Sequence, residues 1–187
     1  QGAPKPSTLS APEPKEFLSF LRELWADRPA HEAARWISTV RRVIGVFAAG
    51  RATDIGQGVI FVGSGSNGKT VLLDIIKGLF SEREAISLPP EFWDNEVDRL
   101  TLKGSVINAV DGSDTIDWPR HLADVLSGKL VCGRARYGQP RAFRPKAGHI
   151  FVMNCISDSG GASSQAQPLP RRLLPIPFTR VFSTGTW

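Results

Sequence analysis

Apolar residues recur at helical spacing from Pro14 to Ala49: Phe17, Leu18, Phe20, Leu21, Leu24 and Trp25, then Ala33, Trp36, Ile37, Val40, Val43, Ile44 and Phe47. The pattern predicts two helices separated near "DRPAH" and stopped by Gly50. It then changes to short continuous apolar runs, at Val59 to Val62, in "SVINAVDGSD" and in "GHIFVMNC" over residues 148 to 155, each read as a buried strand. Helices are expected at Val71 to Phe80 and in "PRHLADVLSG", the latter closed by Gly128, with a loop turning into a short helix in "SLPPEFWDNEVDRL". "LVCGRARYGQPRAFR" alternates like a β-hairpin toward a turn at Gly138-Gln139-Pro140, and "SDSGGASSQAQPLP" reads as a mobile loop before the apolar strand of "RRLLPIPFTRVF". Strands alternating with helices predict an α/β three-layer domain with a largely parallel sheet.

The first strand runs into "FVGSGSNGKT", residues 61 to 70. A glycine-rich turn between a strand and a helix start gathers backbone N–H groups in one concavity, where the helix dipole adds positive potential. Gly63, Gly68, Lys69 and Thr70 satisfy G-x-x-x-x-G-K-[ST], so the segment Gly63, Ser64, Gly65, Ser66, Asn67, Gly68, Lys69 and Thr70 is expected to cradle ATP. Lys69 would reach the terminal phosphates, and the Thr70 hydroxyl would hold Mg²⁺. Asp111, at the end of the second strand, is the expected complement that positions the metal and polarises the attacking water, with Asp114 as a second candidate. Asn154 ends the third strand, at the edge where ligands sit in open α/β sheets, and can orient that water.

Charge divides the chain. Residues 1 to 124 carry 14 Lys/Arg against 17 Asp/Glu, and residues 125 to 187 carry 9 against the single Asp158, so the two parts are −3 and +8. The C-terminal third is therefore the expected polyanion-facing surface. Within it Lys129, Arg134, Arg136, Arg141, Arg144 and Lys146 surround Tyr137 without an acid, a combination that tracks a phosphate backbone and stacks a base. Cys132 and Cys155 form no ligand motif, which argues against structural zinc or a disulfide framework and for a reducing, cytoplasmic compartment. His31, His121 and His149 are scattered and are assigned no chemistry. No apolar run approaches the roughly 20 residues that span a bilayer, and no membrane partner is expected. "QGAPKPSTLSAPEP" has no signal-peptide core and reads as a flexible linker on a piece of a longer protein.

From about Phe17 to Phe182 the chain resembles the superfamily 3 AAA+ helicases, and within them the primase-helicases of phages, plasmids and large DNA viruses. Gly63, Gly65, Asn67, Gly68, Lys69 and Thr70 match that family's G-x-G-x-N-G-K-[ST]. "WISTVRRVIGVFAAG" looks like the helix preceding its phosphate loop, and "LTLKGSVINAVD" like its lead into the second strand. "LSGKLVCGRARYGQPRAFRPKAGHIFVMN" is similar to its hairpin and sensor strand, and "PRRLLPIPF" to its "RRhxxIPF". The resemblance implies a P-loop AAA+-type core over residues 51–187, preceded by a linker, 1–14, and a helical segment, 15–50. It implies ATP and Mg²⁺ as cofactors, Asn154 as sensor, and Arg172 (rather than Arg171, with Arg180 third) reaching a neighbouring subunit's ATP site. It further implies a pore hairpin with Arg136 and Tyr137 at its tip, flanked by Arg134 and Arg141, that grips single-stranded DNA.

The implied function is an ATP-dependent replicative DNA helicase acting at fork DNA as a homo-oligomer, a hexameric ring moving 3′ to 5′, with a priming domain elsewhere on the parent chain. Three positions depart from the family pattern: Asp111 stands alone where a Glu pair is usual, Lys129 replaces the Asp of "GGD", and Met153 replaces the Thr before the sensor. These leave open a second reading, a replication initiator or assembly module that binds ATP and DNA without unwinding. Trp25 and Trp36 are expected to be packing residues.

Overall fold

A computed structural model describes residues 14–112, 118–154 and 171–182. Two helices come first, α1 (Lys15–Leu24) and α2 (Ala30–Ala48), broken at the predicted place and stopped at Gly50, whose φ is +65°. A short helix, α3 (Ala52–Ile55), leads to β1 (Gly58–Val62), which the phosphate-loop segment joins to α4 (Lys69–Lys77). β2 (Ala85–Ile86), a 3₁₀ turn at Pro90–Phe92, α5 (Glu96–Arg99) and a second 3₁₀ turn at Leu100–Leu102 precede β3 (Ile107–Val110). The remaining elements are α6 (Leu122–Leu126), the pair β4 (Val131–Gly133) and β5 (Arg141–Phe143), β6 (Gly148–Met153) and β7 (Leu173–Pro177).

Five strands form one sheet in the order β2-β3-β6-β1-β7, and every pairing in it is parallel. β1 lies between β6, with Val59 opposite Ile150, and β7, with Gly58 opposite Leu173. Alternate side chains of each strand enter two separate cores. Val59, Phe61, Ile150, Val152 and Ile176 meet α1, α2 and α4 on one face. Ile60, Phe151, Met153 and Leu173 meet α6, Trp93, Leu102 and the β4–β5 hairpin on the other. Two covered faces explain why these strands read as unbroken apolar runs rather than as alternation. The result is the expected α/β three-layer arrangement, in which the N-terminal helices share a core with the sheet.

Three features differ from the sequence reading. Helix α3 and strand β2 were not foreseen, because four and two residues are too short to carry a period. The hairpin turns earlier than the residue pattern predicts and where the resemblance implies its tip: Gly138 N donates to Ala135 O at 2.8 Å, so the turn is centred on Arg136 and Tyr137 rather than on Gly138-Gln139-Pro140. The expected linker over residues 1–14, apart from Pro14, the expected mobile loop, Asp114 and Cys155 lie outside the described residues. Among the described residues no helix is long and apolar enough to cross a membrane.

Candidate functional site

At the C-terminal end of β1 the backbone changes direction inside a braced loop. Gly68 has φ +82° and Ser66 φ +57°, both left-handed, which lets the chain reverse and enter α4 with its first N–H groups facing the turn. A side chain at Gly63 would collide with the Phe178 carbonyl oxygen and the Asn67 amide, so only glycine fits there. Ser64, Gly65, Ser66 and Thr70 are exposed, whereas Asn67 and Lys69 are buried, at 2% and 4% exposure. The ammonium of Lys69 spends all three donors inside the loop, on Gly63 O at 2.6 Å, Ser64 O at 2.8 Å and Asn67 Oδ1 at 2.9 Å.

The loop is held from outside by the segment following β7. Asn67 Nδ2 donates to Phe178 O at 3.1 Å, Phe178 N to Val62 O, and Phe182 N to Ser66 O at 2.7 Å. Trp25, at the end of α1, donates through Nε1 to Pro177 O at 2.7 Å and packs its ring on Phe178, which in turn packs on Phe61. Trp25 is thus fully buried packing, as expected, and Trp36 is half-buried with the Arg35 guanidinium over its ring. Arg180, the weakest arginine candidate, bonds Glu23 and lies over the Phe182 ring. This brace depends on residues far apart in sequence, and nothing in the local pattern announces it.

Burial lowers the pKa of Lys69, and the charge of Asp111 opposes that shift without overcoming it. The coupling puts the carboxylate after β3 in the electrostatic reach of the loop lysine, at the same edge of the sheet. Asn154 follows β6 at this edge, beside β1 in the strand order, so the loop, Asp111 and Asn154 are gathered by three neighbouring strands. Thr70 is the second residue of α4. Among the described residues no three acidic, histidine or cysteine side chains cluster as a metal site. Thr70 and Asp111 are the described residues at this edge that could contribute oxygens to a cation bound with substrate.

Arg172 lies elsewhere. Its carbonyl accepts from Gly58 N at the beginning of β1, the opposite edge of the sheet, five residues or roughly 16 Å of strand from Gly63. Its guanidinium donates to Ser127 Oγ at 2.7 Å and to Gly56 O at 3.3 Å. It therefore cannot complete the phosphate loop of its own chain. Arg171 beside it is exposed.

The hairpin presents Tyr137 at 97% exposure and φ +64°, a left-handed conformation that costs a non-glycine residue energy. Arg136 and Arg141 are exposed and have no ion-pair partner among the described residues, whereas Arg134 faces Glu96 at 3.4 Å and Lys129 faces Asp124 at 3.0 Å. Its base is anchored by a residue that sequence reasoning missed. Arg99 is 3% exposed and donates to Cys132 O at 2.7 Å and Trp93 O at 2.8 Å, carbonyls rather than carboxylates. His149 on β6 lies in the run expected to be a buried strand: it is buried against Trp93 and beside Asn108, and burial drives its pKa down to about 3. No spacing signal marks Arg99 as buried.

No protein-family model and no curated protein sequence matches the chain. Solved structures of the NrS-1 C-terminal region share its fold. The apo structure of residues 305–718 of that protein superposes with a TM-score of 0.63 at 17% identity over 93% of this chain and 40% of that one. An A-form apo structure of the same region gives 0.62 at 17% identity, over 93% and 39%, and a further A-form structure gives 0.60 at 16%, over 92% and 40%. The chain spans about two fifths of these neighbours, and at such identity the likeness is one of fold.

Proposed function

We propose that this chain is the ATPase core of a superfamily 3 AAA+ helicase, one that hydrolyses ATP·Mg²⁺ at subunit contacts and moves a hairpin along single-stranded DNA. The observation that carries the reading is the buried Lys69 ammonium, stored against the carbonyls of its own glycine loop and within the field of Asp111. A lysine so placed is desolvated, and its three hydrogen bonds to the loop offset that cost until a ligand takes their place. It is suited to exchange loop carbonyls for phosphate oxygens.

In this reading the loop N–H groups and Lys69 bind the phosphates, and Thr70 and Asp111 would hold Mg²⁺, which supplies charge neutralisation on the phosphate oxygens. Asp111 and Asn154 orient the attacking water. The strand order β2-β3-β6-β1-β7 supports the assignment: β6, which precedes Asn154, lies beside β1, which precedes the loop, and β3, which precedes Asp111, lies next beyond β6. Arg172, barred from its own site by the length of β1, serves a neighbouring copy's site. A homo-oligomeric ring, with Arg134, Arg136, Tyr137 and Arg141 directed at DNA in its centre, follows from those roles.

The test is steady-state ATP hydrolysis across a range of protein concentrations, beside Arg172→Ala. A shared site predicts specific turnover that rises with concentration and collapses in the variant, where an arginine in trans contributes about 10³ to 10⁵ in rate. Turnover flat with concentration and indifferent to Arg172 would refute the shared site. ATP binding with no turnover under any condition would favour the initiator or assembly module.

A further inference from the structure

Between the hairpin and the 3₁₀ turn Leu100–Leu102 lies an open recess of about 450 Å³. Leu100 and Ala135 line it with apolar surface, Gly133 and Gly138 with bare backbone, and Lys103, Gln139 and Arg141 with the polar groups. Among the described residues no carboxylate lines it. Lys103 and Arg141 are both exposed, and neither has an ion-pair partner among the described residues, in contrast to Arg134 and Lys129 nearby in sequence. Two unneutralised cations beside one small apolar recess suit an anion that carries a flat apolar group.

The walls are fixed before any ligand arrives. Arg134 N donates to Glu96 O at 3.1 Å, and buried Arg99 grips Cys132 O, so β4 is tied to α5 directly above the turn that carries Lys103. A side chain at Gly133 would press on Leu100 Cα at 3.1 Å and on Glu96 O at 3.2 Å, which shows how closely the two segments approach. A recess whose backbone walls are held in this way does not have to be ordered on binding.

We infer that this recess receives one nucleotide unit of single-stranded DNA, its phosphate between Lys103 and Arg141 and its base against Leu100 and Ala135. The inference rests on the reading of the hairpin as a DNA element and deepens it, because Lys103 belongs to a separate segment and turns a one-sided hairpin into a two-sided grip. The volume lies within the roughly 300 to 1,000 Å³ of small-ligand sites. With Gln139 as the one lining side-chain amide, recognition is tolerant of sequence, as expected where apolar and phosphate contacts dominate.

The experiment is fluorescence anisotropy of a labelled oligo-dT of about 12 nucleotides, a length that covers one such site, against the whole chain over a salt series. The proteins are wild type, Lys103→Ala, Lys103→Arg and Tyr137→Ala. Loss of one phosphate contact predicts that Lys103→Ala lowers the salt slope by about 0.7 and the affinity about fivefold near 0.1 M salt. Lys103→Arg should restore both. Wild-type affinity and slope in Lys103→Ala, with binding weakened in Tyr137→Ala, would overturn the recess and leave the hairpin reading standing. A wild-type chain that hydrolyses ATP but ignores oligo-dT would overturn the recess and the hairpin together while sparing the ATPase.

Discussion

The phosphate loop and the hairpin turn are built from similar parts: glycines, cations and one non-glycine residue in the left-handed region, Ser66 at φ +57° and Tyr137 at +64°. Their surroundings are opposite. The loop is clamped by Phe178, Phe182 and Asn67, and its lysine is buried with every donor satisfied. The hairpin tip is held by one turn hydrogen bond, its tyrosine is almost wholly exposed, and Arg136 and Arg141 have no ion-pair partner among the described residues. Strained backbone costs on the order of 1 to 3 kcal/mol wherever it occurs, and surroundings must impose it. In the loop the brace imposes it and the cation is buried against carbonyls, which under the proposed function a ligand would replace. At the hairpin the strain projects a ring and leaves charge in solvent, where the proposed function puts a polyanion.

Breaking the brace should have the largest effect. Gly63→Ala forces the loop away from the Phe178 carbonyl and Asn67, and should cost about 3 kcal/mol of stability, as overpacking does, together with ATP binding. Thermal unfolding and titration calorimetry read the two losses. Lys69→Ala removes the stored charge and spares the backbone, so ATP affinity should fall by roughly 10- to 100-fold, the worth of hydrogen bonds to a charged group. Oligo-dT binding without nucleotide should then be unchanged. Weakened DNA binding in this variant would mean that the two regions are not separable.

A third prediction concerns the sheet on which both regions stand. His149 has a folded pKa of about 3 against an unfolded value near 6.5, and the groups described as facing its ring, Asn108, Trp93 and Phe151, do not ionise in this range. The unfolded chain therefore binds a proton that the folded chain refuses. The contribution is fully present above pH 6.5 and is lost as pH falls toward 3, at about 1.4 kcal/mol per pH unit. Chemical denaturation at several pH values should show this slope, and His149→Leu should flatten it. Smallest in stability is Tyr137→Gly, which relieves the left-handed strain and should raise stability by about 1 kcal/mol while weakening oligo-dT binding by a similar amount through lost stacking. Equal signs for the two changes would contradict the account of the hairpin.

The sheet was legible in the sequence because strands buried on both faces write themselves as apolar runs, and the loop because glycine and lysine spacing is chemically constrained. The strand order was not, since nothing local in "GHIFVMNC" says that it inserts between β3 and β1. Turn-residue composition alone puts the hairpin turn too late, because Gly138-Gln139-Pro140 carries favourable turn chemistry, whereas the left-handed residue is Tyr137, against its own preference and at the tip the family resemblance implies. Arg172 could be named as an arginine of interest, yet only the pairing of its carbonyl with Gly58 reveals which edge of the sheet it occupies. Arg99 carries no local signal of burial, which is a property of the assembled core, whereas the burial of His149 follows from the apolar run around it.

Whether the braced loop and the projecting hairpin are coupled as proposed is decided by ATP turnover with and without oligo-dT in wild type and Tyr137→Ala. The account predicts turnover stimulated by DNA in the wild-type chain, and DNA-free turnover with no stimulation in the variant. Wild-type turnover that is identical with and without saturating DNA would contradict it.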